Sequence, residues 1–487
     1  MFIGAGAVKV GTLYDWVPGP GSVVTWHPSA ASLAKAREAP TSPVPASYMQ
    51  AQHLRGFCEF AAQGLDYSRL VMGSWDIPGR CDIRAMTYVI NSHLRRHDTY
   101  RSWFDYHDMD HIVRHTLASP ADIEFVPTQH GEMTPAEWQH YLLSIPDPLH
   151  WECFSFGVIQ RPDHFTFCVI VDHLHTDPML MALLYMELYV TYNALVAGAA
   201  PVALPPAGSY DEYCVRQRQY TSTLSLDSPP VRKWIEFAEN NGGTLPDFPL
   251  PLGDPTIPCG GDIVTEQLMD KQQTARFESA CVEAGARFSG GLFACVALAQ
   301  YRLTGAETYY GLTPFDKRST PAEFLTAGWF TGVIPFTIPV DPTSFGETAR
   351  AAQASFDSNT ELANVPFDRV LELAPWLRRP GPNFTMLNYM DAGLPPLSAV
   401  VASHLDGANA GAYCDARNPA HLYMSVGRLF DEVSMTVFFP NNPVARESVI
   451  RYMEAVKSMC VRVAEGSDAT APLHNGAPAL VRLDPQR

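Results

Sequence analysis

The sequence lacks the features that would place its 487 residues in several common classes of protein. None of the ten cysteines forms a Cys-x-x-Cys pair, and several lie in apolar runs, which argues against a disulfide framework or a cysteine zinc site. No uninterrupted apolar run reaches membrane-spanning length, and there is no Gly-x-Ser-x-Gly nucleophile elbow. Basic residues are also scarce, with 34 Lys and Arg against 51 Asp and Glu, so nucleic acid is not an expected partner.

What remains is the composition of a globular protein, with 46% hydrophobic and 17% charged residues. Helix and strand patterns alternate in both halves, which predicts an α+β fold with two similar lobes and a cleft between them. We expect a hairpin over residues 8–27 and a loop over residues 28–45. Helices are predicted to begin at Ser47 and at Thr134, where Glu137 completes a capping box. Residues 465–487 are predicted to be a disordered tail.

The most informative segment is His173-Leu-His-Thr-Asp177, which follows a clear strand pattern. From Phe165 to Val171 every second residue is Phe or Val, and by this alternation His173 falls on the same, apolar face. An inward histidine with a carboxylate four residues later is suited to general-base chemistry. The spacing alone is weak evidence, because a chain with 16 His should contain roughly one His-x-x-x-Asp by chance.

Eight short motifs, in a fixed order, give this segment its context. They are Pro45-Ala-Ser-Tyr-Met-Gln-Ala-Gln-His-Leu54, Arg96-His-Asp-Thr-Tyr-Arg-Ser-Trp-Phe104, Asp172-His-Leu-His-Thr-Asp-Pro178, Ser209-Tyr-Asp-Glu-Tyr213, Gly311-Leu-Thr-Pro-Phe-Asp-Lys-Arg318, Gly328-Trp-Phe-Thr-Gly-Val-Ile-Pro335, Val365-Pro-Phe-Asp368 and Phe384 to Tyr389. Their order resembles that of the condensation-domain and chloramphenicol-acetyltransferase-like superfamily. Within it, the chain looks most like the mycobacterial polyketide-associated (Pap) acyltransferases, in particular the branch that acylates trehalose glycolipids.

The resemblance implies two chloramphenicol-acetyltransferase-like subdomains in a V-shaped pseudo-dimer, with an active-site tunnel between them. The corresponding segments are residues 1–44 for the N-terminal hairpin and loop, 45–220 and 221–464 for the two subdomains, and 465–487 for the tail. Gly332 stands where the family usually has Asn, and two positions of the motif around His173 also depart from the family pattern. Asp172 stands where the first His of a double-His motif is usual, and Pro178 replaces a glycine. Neither change removes His173 or Asp177.

The resemblance also implies direct acyl transfer from a thioester, on coenzyme A or a carrier protein, to a hydroxyl of a sugar such as trehalose or an acyl-trehalose. His173 would be the general base. Asp177 would pair with Arg318 across the two halves and hold the loop that carries His173. No cofactor is expected besides the thioester substrate, and a polyketide synthase or a lipid transporter is a further expected partner. The expected location is the cytoplasm, with contact at the inner membrane face.

Three further residues are candidates for substrate binding. His175 would share the side of His173 if the strand continued that far, although packing at the start of the following helix is the alternative. Trp329 would line the acyl channel or belong to the core. Asn388 would line the tunnel or serve strand pairing.

Other functions and sites remain open at this stage. An amide-forming condensation enzyme, an enzyme that esterifies a lipid diol and a non-catalytic acyl-binding scaffold are the alternative functions. His107 and His111 would share a face if they lay on a helix, as zinc ligands can, but the resemblance implies a hairpin turn at the segment between them, so no metal is predicted.

Overall fold

The computed structural model describes residues 8–108, 111–381, 383–393, 407–417, 422–429 and 431–466. The strands of the first lobe are β1 (Lys9–Thr12), β2 (Ser22–Pro28), β3 (Leu70–Pro78), β4 (Ser102–Asp108), β5 (His111–Thr116), β6 (Phe125–Glu132), β7 (Phe154–Gln160) and β8 (His164–Asp172). Its helices are α1 (Ala30–Arg37), α2 (Tyr48–Ala62), α3 (Ile83–Arg96), α4 (Pro135–Leu143), α5 (Leu180–Val196) and α6 (Tyr210–Ser222). Most of the predicted tail, from residue 467 onward, lies outside the described residues.

The second lobe has the same mixture of elements. Its strands are β9 (Gly261–Met269), β10 (Thr308–Asp316), β11 (Thr331–Pro339), β12 (Thr385–Asp391), β14 (Leu422–Leu429) and β15 (Glu432–Pro440), while β13 (Gly411–Cys414), from the same half of the chain, joins the sheet of the first lobe. Its helices are α7 (Pro229–Asn240), α8 (Lys271–Glu283), α9 (Phe288–Thr304), α10 (Phe345–Asn359), α11 (Phe367–Leu373) and α12 (Pro443–Ala464). The predicted α+β class with two lobes is therefore the observed fold.

The first lobe is built on a sheet with strand order β1-β13-β3-β8-β7-β2-β6. Strand β8 lies inside this sheet and is buried along both faces, so its alternation separates two packing environments rather than core from solvent. The Phe/Val face packs on α3 and α5, and Ile170 on the other face packs against α4. Both layers hold β8 rigidly, and β8 ends at Asp172, directly before His173.

The second lobe contains a sheet of order β12-β14-β15-β9 and the pair β10-β11. Helices α9 and α12 cover the apolar residues of β14 and β15 and form the second core. Helix α9 is buried through most of its length, from Phe288 to Ala299. Within the described ranges no single helix is long and apolar enough to cross a membrane, and α8 and α9 reach the required length only as a pair with a 95° bend.

The helix starts predicted from capping residues are confirmed. Ser47 precedes α2 and forms a capping box with Gln50, and Thr134 forms one with Glu137 before α4. Each box satisfies backbone N–H groups that the first helical turn leaves without partners. Helix α2 in turn brings its side chains to the end of β8, next to the turn that carries His173.

The predicted N-terminal hairpin is wrong. Strand β1 pairs in parallel with β13, and β2 pairs with β6 and β7, so the two strands lie at different places in the sheet. The predicted loop over residues 28–45 contains α1, which Ser29 caps. Pro18-Gly-Pro-Gly21 resembles a hairpin turn locally, but the long-range strand partners decide the pairing. The first sheet thus takes strands from outside the 45–220 segment, including β13 from the second half.

Candidate active site

His173 opens a short 3-10 turn at the end of β8. Its backbone N–H donates to the carbonyl of Arg69 (2.8 Å), and the carboxylate of Asp172 accepts from the N–H of Leu174 (3.0 Å). The turn is thus tied to the sheet on one side and capped on the other. The His173 side chain is half-buried and packs on the indole of Trp329, with 4.1 Å between the ring centroids. Because Trp329 follows β10 in the second lobe, the histidine lies where the two lobes meet.

Asp172 is completely buried, and its carboxylate has two side-chain partners in addition to the Leu174 N–H. Nε2 of His53 donates to Oδ1 (2.7 Å), and Nη1 of Arg69 donates to Oδ2 (2.8 Å). Burial alone would raise the pKa of Asp172, but the charges and hydrogen bonds of His53 and Arg69 outweigh burial and hold that pKa well below its usual range. Asp172 is therefore an ionised anchor for the turn.

Asp177 and Arg318 form the ion pair that the resemblance implies. Nη1 of Arg318 donates to Oδ2 of Asp177 (2.7 Å) and Nη2 donates to Oδ1 (3.1 Å), while both side chains are almost fully buried. The pair joins the segment after β8 to the segment after β10, and so it joins the two lobes. Burial would lower the pKa of the guanidinium, but Asp177 outweighs it and raises that pKa, so the pair is charged.

The same two side chains also fix the surrounding backbone. Asp177 accepts from the N–H of Met179 and from the N–H of Phe330, at 3.0 Å each. Arg318 donates to the carbonyls of Glu323 (3.0 Å) and Thr326 (3.1 Å). The start of α5 and the loop that carries Trp329 are therefore held to one ion pair, which gives Asp177 and Arg318 a structural part in shaping the site.

His175 lies away from the reaction centre. The strand has already ended at Asp172, so the turn cancels the alternation that would have put His175 beside His173. The side chain is fully buried against Tyr100 and Phe154, and Nδ1 shares a hydrogen bond with the hydroxyl of Thr99 (3.0 Å). Burial lowers the pKa of His175 to about 4. With no exposed surface, His175 is a neutral packing residue rather than a binding residue.

The two remaining candidates lie in the second lobe. Trp329 is half-buried and contacts His173, as described above, so it can meet a substrate bound there. Asn388 lies on β12, and its amide donates to the hydroxyl of Tyr423 on β14 (2.9 Å). This bond accounts for Asn388 as a residue of the sheet, and its part in lining a tunnel stays a prediction.

The region that resembled a metal site lies on two antiparallel strands: His107 is the next-to-last residue of β4 and His111 is the first residue of β5, with their rings 4.7 Å apart. A second cluster, His93, His97 and Glu187, has one ligand atom from each residue within 4.8 Å. Here, however, both histidines donate to Oε2 of Glu187, and Nε of Arg96 donates to Oε1 (2.8 Å). The guanidinium already balances the carboxylate, so the cluster is complete as a hydrogen-bonded network between α3 and α5.

The sequence predicted His173, Asp177 and Arg318 but missed His53 and Arg69. The signal was present, because a carboxylate at the end of a strand as apolar as β8 needs a positive or hydrogen-bonding partner. The sequence did not reveal which residues would be the partners of Asp172. His53 lies on α2 and Arg69 directly before β3, and only the packing of these elements on β8 brings both to Asp172.

Taken together, the site offers an accessible imidazole at a junction of two lobes, in a backbone fixed by two buried anionic groups. Such an imidazole can accept a proton from a hydroxyl and return it to a leaving group. In the described part of the chain each cysteine whose pKa is shifted has it raised by burial, as for Cys153 near Asp172, so these thiols are protonated and poor nucleophiles. The geometry fits direct transfer of a group between two substrates.

Comparison with known proteins agrees with this geometry. The condensation-domain family model matches residues 48–392. A 2'-acyl-2-O-sulfo-trehalose (hydroxy)phthioceranyltransferase, PapA1, of Mycobacterium tuberculosis is 57% identical over 464 residues, which cover 95% of this chain and 90% of the relative. The trehalose-2-sulfate acyltransferase PapA2 of the same species is 53% identical over 465 residues, covering 95% and 98%. A solved structure of a PapA2 acyl transferase superposes with a TM-score of 0.91 over 94% of this chain and 100% of that one.

Proposed function

The chain belongs to the condensation-domain family, and we propose that it is an O-acyltransferase that moves a long-chain fatty or polyketide acyl group from a thioester to a hydroxyl of trehalose or of an acyl-trehalose. Two relatives that share more than half of their residues with this chain are named for acyl transfer to sulfated trehalose. A substrate of the same class, a trehalose-based sugar, is therefore the acceptor we propose, and cell-envelope glycolipid synthesis is the process it would serve.

The observation that carries the proposal is the position of His173. Its imidazole is half-buried at the lobe junction, against Trp329, and the turn beneath it is fixed by Asp172 and by the Asp177–Arg318 pair. A sugar hydroxyl is a poor nucleophile at neutral pH, whereas a thioester carbonyl is already activated. A single well-placed base is thus the main chemical requirement of the reaction.

The proposed reaction needs no covalent enzyme intermediate. The acceptor hydroxyl attacks the thioester carbonyl while His173 takes its proton, and the tetrahedral intermediate then collapses with cleavage of the carbon–sulfur bond. The protonated His173 returns the proton to the leaving thiolate. The products are an ester on the sugar and a free thiol on coenzyme A or on a carrier protein. Either kind of thioester would therefore serve as donor.

The other residues of the site position His173 and the substrates in this scheme. Asp177 faces Arg318 and two backbone N–H groups, so its carboxylate is fully used and does not take part in proton transfer. Donor and acceptor would approach His173 along the junction of the lobes, where Trp329 contributes an apolar wall. Because coenzyme A and carrier-protein thioesters are made in the cytoplasm, we expect the reaction there.

The proposal is tested with purified protein, palmitoyl coenzyme A and a panel of acceptors, namely trehalose, trehalose 2-sulfate, a long-chain diol and a primary amine. Mass spectrometry of the products and release of free thiol are the two readouts. We expect acyl-trehalose or acyl-trehalose sulfate to form, and His173→Ala to form it about 100-fold or more slowly. Faster turnover of the amine or the diol would contradict the sugar acceptor, and full activity of His173→Ala would contradict the assignment of the base.

A further inference from the structure

A second histidine, His53, stands beside the proposed base. It lies on α2 and is 6% exposed, and its ring centroid is 6.4 Å from that of His173. The ring also contacts the indole of Trp329 (5.7 Å) from the second lobe and the phenol ring of Tyr67 (5.5 Å) from the first. His53 and His173 thus share the same aromatic wall, so a molecule bound against His173 has His53 as a neighbour.

The orientation of the His53 ring is fixed from behind. Nε2 donates to Asp172, whose other oxygen is held by Arg69. Arg69 is itself anchored to the carbonyls of Ile145 (2.5 Å) and Pro146 (3.0 Å), and it is 6% exposed. Asp172 belongs to the turn that carries His173, so one buried carboxylate sets the position of both histidines.

Nδ1, the second ring nitrogen of His53, is the atom that can still bind a ligand. Among the residues that the structure describes, none forms a hydrogen bond with Nδ1, whereas Nε2 is committed to Asp172. Nδ1 of a histidine that donates through Nε2 accepts a hydrogen bond in the neutral ring and donates one in the protonated ring, and a sugar hydroxyl can serve as the partner in either case.

From these contacts we propose that His53 binds the acceptor sugar: Asp172 holds its Nε2, and its Nδ1 forms a hydrogen bond with a hydroxyl next to the one that reacts at His173. This inference rests on the proposed function, since it assigns a contact to the sugar in the same site. It explains why the carboxylate at position 172 is useful to this chain. Asp172 orients a second histidine toward the substrate in addition to capping the turn.

A purely structural part for His53 is the alternative, in which its bond to Asp172 only secures α2. One variant of His53 and one control variant separate these possibilities. The side-chain amide of glutamine reaches about as far as Nε2 of histidine, so His53→Gln keeps a donor for Asp172 and removes Nδ1. His150 is an exposed histidine that pairs with Asp147 (2.8 Å), and His150→Gln is the matched control.

The experiment measures the melting temperature and the separate KM values for donor and acceptor in the wild type and in both variants. We expect His53→Gln to melt with the wild type, to keep the donor KM and to raise the acceptor KM about 3- to 10-fold, as for one lost hydrogen bond. His150→Gln should match the wild type throughout. An unchanged acceptor KM in a folded, active His53→Gln would overturn the inference, as would a loss of stability without a change in acceptor KM.

Binding of unreacted trehalose, followed by calorimetry, separates this inference from the proposed function. If the wild type binds trehalose and His53→Gln binds it equally well, only the assignment of His53 is wrong. If the wild type binds neither trehalose nor its sulfate, the sugar acceptor and the His53 contact are both wrong. Should His53→Gln fail to fold, nitrogen NMR of the wild-type imidazoles gives the answer, because trehalose must shift the Nδ1 resonance of His53 and an unmoved resonance refutes the contact.

Discussion

Replacing Asp177 with asparagine is the sharpest test of how the site is held together. Each carboxylate oxygen of Asp177 accepts from two N–H groups: Oδ1 from Arg318 and Met179, and Oδ2 from Arg318 and Phe330. In Asp177→Asn, whichever position the NH2 group takes, it faces two donors, and Arg318 stays buried without a counter-charge from residue 177. Removing one partner of a buried ion pair typically costs about 3–5 kcal/mol, so we expect a loss of that size.

The measurement is chemical denaturation followed by tryptophan fluorescence, with activity recorded at each denaturant concentration. The pair Arg232 and Asp227 provides the control, because its N–O distance is the same 2.7 Å but its side chains are 62% and 91% exposed. Asp227→Asn should cost less than about 1 kcal/mol, since water already screens that pair. We expect the activity of Asp177→Asn to fall in parallel with the loss of folded protein.

Two results would refute this reasoning. A variant that unfolds at the wild-type denaturant concentration would show that the buried pair does not hold the lobes together. A fully stable Asp177→Asn with turnover reduced a hundredfold or more would mean that Asp177 takes part in the chemistry, so its assignment as a purely structural residue would be wrong.

Three further predictions concern single residues around the same site. His173→Ala should lower kcat by about 10²- to 10⁴-fold, the usual contribution of a general base, with little change in melting temperature; a kcat within threefold of the wild type contradicts this. His175 has a pKa of about 4 in the folded protein and about 6.5 in the unfolded chain, so the unfolded chain binds the proton more readily. The contribution of neutral His175 to the free energy of unfolding is therefore fully present above pH 6.5 and is lost as the pH falls toward 4. The wild type should therefore lose about 2 kcal/mol of unfolding free energy between pH 7 and pH 5 through this residue. The unfolding free energy of His175→Asn, measured by denaturation at each pH, should fall correspondingly less over this range. An equal fall in both proteins would exclude His175 as the source. Trp329→Ala should reduce kcat/KM about tenfold because His173 loses the indole that it packs against, with calorimetry as the check on folding; an unchanged kcat/KM would show that the indole does not position His173.

Much of the local structure was predictable because it depends on short-range patterns. The N-cap residue Ser47 and the capping box at Thr134 predicted the starts of α2 and α4, and strand alternation predicted β8 and its end near His173. The N-terminal hairpin failed for the complementary reason. Its turn residues are compatible with a hairpin, but the partners of β1 and β2 come from β13, β6 and β7, which are distant in the chain.

The site divides in the same way. His173, the proposed base, and the carboxylate of Asp177 could be identified from the sequence because they lie four residues apart directly after a strand pattern, and the order of motifs pointed to Arg318. The partners of the two carboxylates, and which histidine keeps accessible surface, depend instead on how distant segments pack. The 3-10 turn buries His175 and leaves His173 at the lobe junction, and the packing of α2 on β8 brings His53 to Asp172. The physical reason is that charge pairing in a buried site is set by which elements pack together, and that depends on contacts between residues far apart in the chain.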